Sequence, residues 1–370
     1  MTVTPHTDTR PFLIEHQRLA TSGARSVLAF QRNGRQYLAV PQFALDVLEH
    51  KPGMHSGNAD IDSPIYRWQD GRFVEDARLP TTGAESFEYF KIGGAEFLAI
   101  ASARTGSGPY DENSVSKIYK WNGSAWAEFQ SMRGVVSKHW HYFSFDGRHF
   151  LALAQGVTND KVVVRHPRTS TVFEWNGERF IEFQDLEGRW GYSCACFELA
   201  GQRFLAYADH VDGSRLYRWD GSRFAPFQEL AEKGGRAFSF LEADGGAYLV
   251  FANILGDSQL YRWNGERFAP AQVLAGSSGR ELAQVRTAKG LYVVRVNFIQ
   301  GTPAAPKADL NSQLYRFEGG QLTLVQEFPT FGGTGATAFH ADGQTYVAVS
   351  NNMTPELRFR QDTVIYRFND

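Results

Sequence analysis

Only two cysteines, Cys194 and Cys196, occur in the 370 residues. Residues i and i+2 of a strand share a face and are poorly placed to bond each other, so no disulfide framework is expected. Their simplest role is as small buried apolar groups. A metal site would need further ligands that this spacing does not offer. Charge of one sign is also missing: 38 Lys and Arg stand against 40 Asp and Glu, net −2. Nucleic acid, which calls for a basic field, is not an expected partner. No apolar run approaches a membrane span. The first ten residues, MTVTPHTDTR, hold no apolar core of a secretory signal, so a cytoplasmic location is expected. There is no Walker phosphate loop, dinucleotide glycine fingerprint, H-E-x-x-H or G-x-S-x-G. No acidic run has the spacing of a calcium loop. No cofactor and no metal are therefore expected.

What the chain does have is aromatic residues, 14% of the total with 29 Phe, which suits many short strands. It also repeats itself. LYRWDGSRF at 216–224 returns as LYRWNGERF at 260–268, and related stretches begin at 65, 118, 172, 314 and 365. The marker aromatic falls at Trp68, Trp121, Trp175, Trp219, Trp263, Phe317 and Phe368, at intervals of 44 to 54 residues. A period of this size signals a repeat architecture. Within 234–274, four apolar or alternating runs are separated by Asp244-Gly245, a short gap and Asn264-Gly265. Such pairs favour hairpin turns, so each repeat reads as four antiparallel strands, a to d. The sixth repeat is irregular, with Arg286 and Arg295 at otherwise apolar positions.

A four-stranded sheet that is apolar on both faces must be covered on both sides by its equivalents. Radial stacking achieves this and leaves short, protected edges. The expected fold is an all-β, seven-bladed β-propeller over 11–370, with 1–10 a flexible tail and marker strands at 65–68, 118–121, 172–175, 216–219, 260–263, 314–317 and 365–368. The last repeat lacks strand d. Residues 13–19, LIEHQRL, match FAPFQEL at 224–230 and should complete it, closing the ring.

The recurring pattern F-x-x-x-G-x-x-[YF]-L-A-[VI], then [IL]-Y-[RK]-W-[ND]-G-x-F, then Q-x-[LF], resembles the EAR, or EPTP, repeat. That family includes the epitempin propellers of the leucine-rich glioma-inactivated proteins. The resemblance covers residues 11–370 and implies a seven-bladed propeller. It also implies extracellular protein recognition, from which this chain departs in showing no leader, disulfide pair or leucine-rich partner domain.

Tight a–b and c–d turns should fall on one face of the ring, and the longer b–c and d–a connections on the other. Recognition concentrates on loops held by a rigid scaffold. The b–c loops of blades 6, 7, 1, 2 and 3 are long and should form a crescent over the channel mouth, where simple insertion is the plain alternative. Aligning repeats on the a–b turn places Arg25, Glu85, Lys138, Tyr192, Arg236, Glu281 and Thr334 at one position near the mouth. Leu28, Glu88, His141, Ala195, Ser239, Gln284 and Thr337 follow three residues further in. An inter-blade ring of ion pairs around a wet channel and a ligand site both account for this pattern. KHWHYF at 138–143 and RWGYS at 189–193 add His139, Trp140 and Trp190 to the mouth.

Two functions follow. In the first, the chain is a monomeric binding propeller, its loop face and channel mouth holding a protein, peptide or small-molecule ligand through Arg25, Glu85, Lys138, Trp140, Trp190, Tyr192 and Arg236. In the second, it is a cofactor-independent isomerase, lyase or cyclase using His139 or His141 with Glu88 or Glu281 as acid and base. An exposed apolar rim would speak for the first, a concave pocket with perturbed titrations for the second.

Overall fold

The computed structural model describes residues 11–156 and 169–370. The 1–10 tail, most of the blade 3 loop and His166 lie outside the described residues. Seven four-stranded antiparallel sheets form a propeller. Blade 4 is representative: strands Gly191–Leu199, Gln202–Asp209, Ser214–Trp219 and Phe224–Ala231 pair in chain order. Blades 1, 2, 3, 5 and 6 occupy 28–79, 84–133, 139–186, 235–274 and 279–331. Blade 7 takes its first three strands from 333–368 and its fourth from Leu13–Leu19. Leu13 faces Phe368 and Leu19 faces Thr363 across that antiparallel seam. The first strands of neighbouring blades meet one another around the channel.

Apolar cores lie between the blades. Phe90 and Phe97 of blade 2 pack with Leu151, Leu153 and Phe173 of blade 3. The same arrangement joins blade 3 to 4 and blade 4 to 5. The marker Trp seals the outer part of a seam: Trp263 meets Phe268 edge-on at 5.2 Å and Phe204 of the preceding blade at 5.8 Å.

The a–b turns have the left-handed backbone that Asn-Gly and Asp-Gly permit, for example φ 50° at Asn33 and 71° at Gly34. Most c–d turns differ from the tight two-residue form. Asn264 Oδ1 accepts from the Glu266 and Arg267 amides, so the side chain closes a four-residue loop.

Each strand d carries a bulge, followed in six blades by a Gln, as where Leu260 faces Gln272 but Tyr261 faces Pro270. A bulge re-aims the side chain that follows it. The Gln reaches the first or second residue of strand d in the next blade and both donates to and accepts from its backbone. Gln228 donates to Phe268 O at 2.7 Å and accepts from Phe268 N at 3.0 Å. Gln17, Gln130, Gln184, Gln272 and Gln326 do the same for Phe73, Phe180, Phe224, Leu322 and Leu13. Blade 1 has Ala77 at this position, facing Ile65, so its seam with blade 2 has no such clamp.

The two irregular arginines separate. Arg286 is exposed and donates to Gln284. Arg295 is fully buried and donates to the carbonyls of Leu274, Ala275, Gly276 and Ser277, tying down the link from blade 5 to blade 6. Cys194 is buried and Cys196 half-buried, both as free thiols.

Candidate functional site

Strand a begins with its own irregularity. In blades 2, 4, 5, 6 and 7 one residue bulges out beside the mouth: Glu85, Tyr192, Arg236, Arg280 and Thr334. Arg25 and Lys138 precede strand a at the matching place in blades 1 and 3, their amides bonded to Pro41 O and Ala154 O. Blade 6 corrects the expected register. Arg280, not Glu281, belongs to the ring, and Ala283, not Gln284, lies three residues further in. The cause is a four-residue turn, 287–290, in which Thr287 Oγ1 accepts from the Lys289 and Gly290 amides. Its tip is Ala288-Lys289, one residue before the Lys-Gly pair that resembles the other turns.

The ring is mostly cationic. Glu85 is its carboxylate, 2.6 Å from Lys138 Nζ, 3.5 Å from Arg280 Nη2 and 3.7 Å from Arg25 Nε. Burial alone would raise the Glu85 carboxyl, but these three cations outweigh it and hold it at about 2. Arg236 Nη1 donates to Gly235 O and to His210 Nδ1, and its guanidinium lies 3.6 Å from the Tyr192 ring centre. That bond puts the His210 hydrogen on Nε2. Burial, then Arg236, depress His210 to about 4, so it is neutral at pH 7. His55 is lowered by burial and then by Arg25 and Arg104. For Tyr192 burial acts upward, but Arg236, Lys138 and Arg280 bring the phenol below its usual value.

A fifth cation comes from the blade 2 loop. Arg104 donates to His55 O and Ser56 O and stacks over Phe43 at 4.3 Å and Tyr110 at 3.7 Å. Gly83 permits its backbone to pass, since a Cβ there would lie 2.7 Å from Arg104 O. Burial draws Arg104 and Arg236 down to about 10, which leaves both charged at neutral pH. Among the described residues, no carboxylate lies within ion-pair distance of either.

These groups surround a cavity of about 450 Å³ at the channel mouth, contributed by blades 1 to 6. Its apolar wall includes Phe43, Met54, Ile254, Phe298 and Ile299. Val136 also lines it, at φ 47°, a costly conformation for a β-branched residue. The loops are packed rather than loose insertions. Phe43 and Phe359 share a core with Ala103 and Val135, and Met54, Phe298 and Met353 form another. Asp46 accepts from the Phe359 and Arg360 amides, joining the blade 1 and blade 7 loops. The expected crescent therefore holds for blades 6, 7, 1 and 2. The short-looped blades 4 and 5 nevertheless reach the cavity through Trp190, His210, Ile254 and Leu255. Leu45, Leu48 and Leu255 stand exposed on these loops.

The expected ligand-binding residues divide. Arg25, Lys138, Trp190, Tyr192 and Arg236 line the cavity, and Glu85 lies beneath it on their charges. Trp140 is corrected: it is fully buried among Leu151, Leu153 and Phe173, because strand alternation turns it away from its neighbours. None of His139, His141, Glu88 and Glu281 lines the cavity. Glu88 Oε1 accepts the Tyr142 amide at 2.8 Å and His141 Nε2 accepts the Cys196 amide at 2.9 Å. Each thus satisfies a donor on the inner edge of the next blade, where no further strand exists. His141 Nδ1 and Glu88 Oε1 are 4.0 Å apart. Burial depresses His139 to about 3 and His141 to about 4, and lifts Glu88 to about 8 and Glu281 to about 7. Arg104, Arg280, His210, Phe43 and Phe298 were not anticipated. The best signal for Arg280 was its place two residues after Ser278, the left-handed residue that stands where blades 1, 2 and 5 have glycine.

Among the described residues no three His, Cys, Asp or Glu side chains cluster as a metal site, and no helix is long and apolar enough to cross a membrane. The human thrombospondin-type laminin G domain and EAR repeat-containing protein is 28% identical over 209 residues, 55% of this chain and 28% of that protein. The mouse protein of the same name is 30% identical over 164 residues, 43% of this chain and 23% of that protein. The matched region spans about a quarter of the length of these relatives. The family model described as the EPTP domain matches residues 13–69, 72–122, 179–220, 223–264 and 321–369, well over half of the chain. With five matched segments spread around a seven-bladed ring, the chain belongs to the EPTP domain family.

Proposed function

We propose that this propeller is a recognition domain that takes its ligand in the cavity at the long-loop face. The observation that carries this reading is the make-up of the cavity. Permanently charged guanidinium groups, from the starts of the inner strands and the blade 2 loop, converge there with an apolar wall on loops that have packed cores of their own. Guanidinium groups hold and orient a ligand but do not exchange protons near neutral pH. The acid–base reading draws support from Glu88 and Glu281, whose carboxyls titrate near neutrality, but both sit away from the cavity. Their side chains satisfy backbone amides, Glu281 that of Leu282.

The test is a fragment screen by ligand-observed NMR against the wild type and two variants. Ala103→Trp fills the cavity and should abolish the strongest hits. His141→Ala should leave them bound. Hits that survive Ala103→Trp but disappear in His141→Ala would overturn the reading.

A further inference from the structure

The cavity carries more positive charge than the protein neutralises. Arg25, Arg104, Lys138, Arg236 and Arg280 face it, against Glu85 beneath and Glu112 in the wall. His55 and His210 add none at neutral pH. Like charges this close repel, and holding them buried with too few carboxylates is unfavourable for the empty protein.

Arg25 and Arg236 are more than nine-tenths buried, as is Arg104. Cations from blades 1, 2, 3, 5 and 6 around one cavity, three in excess of its carboxylates, define the missing complement as an acceptor with more than one negative charge. The apolar wall of Phe43, Met54, Phe298 and Ile299, next to these cations, would cover an apolar body attached to it. A short ribbon, Gln300–Thr302 paired with Ala305–Lys307, contributes Gln300 and Gly301 to the cavity lining. This partial cover and a volume of about 450 Å³ fit a small molecule rather than the edge of a folded domain.

We infer that the mouth cavity binds a small organic dianion, a phosphate monoester or dicarboxylate carried on a compact apolar or aromatic body. The anionic head is held between Arg104, Arg236 and Arg280 and the body lies against Phe43 and Phe298. This rests on the recognition reading above and specifies its ligand.

Isothermal titration calorimetry with phenyl phosphate, phthalate, neutral benzamide and an acetylated tri-aspartate peptide tests it. Phenyl phosphate or phthalate should bind at one site, at least tenfold more tightly than benzamide, since charge-assisted hydrogen bonds are roughly twice as strong as neutral ones. Raising salt from about 20 to about 200 mM should weaken binding only modestly, because a buried pair is screened less than an exposed one. Arg104→Gln with Arg236→Gln should raise Kd about tenfold or more, and Arg280→Gln alone should raise it less. Circular dichroism confirms folding, and the single variant keeps the test alive if the double variant fails to fold. Benzamide binding as tightly as the anions would overturn the charge assignment and leave the recognition cavity standing. Binding of the peptide alone would overturn the small-molecule assignment. Unchanged anion affinity in folded variants would overturn the site.

Discussion

The blade seams and the channel mouth are built from the same repeat and treat polar groups in opposite ways. At six seams a glutamine answers both a backbone donor and a backbone acceptor of the next blade. At the mouth, five cations face one cavity against two carboxylates, Glu85 and Glu112. The difference teaches where the chain serves its fold and where it keeps capacity for something else. A satisfied buried group stabilises modestly, while a buried charge short of counter-charge costs free energy in the empty state.

The comparison sharpens first at the seams. Gln228→Ala removes two hydrogen bonds and leaves the Phe268 amide and carbonyl without this partner, so it should cost about 2–3 kcal/mol by denaturant titration. The seventh seam supplies the converse. Ala77→Gln should add the absent clamp to the Trp126 backbone and stabilise by about 1 kcal/mol. No loss in the first and no gain in the second would remove the glutamine from the account of ring closure.

The inner edge of strand a is an intermediate case, because its satisfying side chains titrate. Folded Glu88 ionises only at about 8, whereas an unfolded glutamate ionises near its ordinary value of 4.5. Between these values the folded state binds the extra proton, so Glu88 makes stability fall as pH rises. His139, His141 and His210 act oppositely, mainly below their ordinary 6.5, and Glu281, half ionised at about 7, adds a smaller downward slope above it. From pH 7 to 8 the melting temperature should therefore drift down in the wild type and drift markedly less in Glu88→Gln. An identical drift in both would remove Glu88 as its source.

Much of the ring was legible in the chain. Repeated Trp positions, hairpin pairs and the LIEHQRL segment specify seven blades and their closure, because each is a local pattern with one geometric consequence. The site was half legible. Arg25, Lys138, Tyr192 and Arg236 could be placed by counting back from a turn, and Trp190 by its place in RWGYS. Counting failed at Arg280, where Lys289-Gly290 imitates a turn whose tip lies one residue earlier. Inside KHWHYF, alternation puts Trp140 on the opposite face of the strand from His139 and His141, in the core between blades 2 and 3. Arg104, Phe43 and Phe298 sit on loops whose course depends on contacts such as Phe43 with Phe359, remote in sequence and without periodicity.

The central claim is that the mouth cations are held for a ligand rather than for the fold. The apo melting temperature of Arg236→Met tests it most directly. This change deletes a buried charge, keeps apolar bulk against Tyr192, and gives up one bond to Gly235 O and one to His210. The account predicts a melting temperature within about 2 °C of the wild type, or above it, since a buried charge without a carboxylate partner contributes little to stability. A fall as large as that of Gln228→Ala would contradict it, and would place Arg236 among the structural clamps.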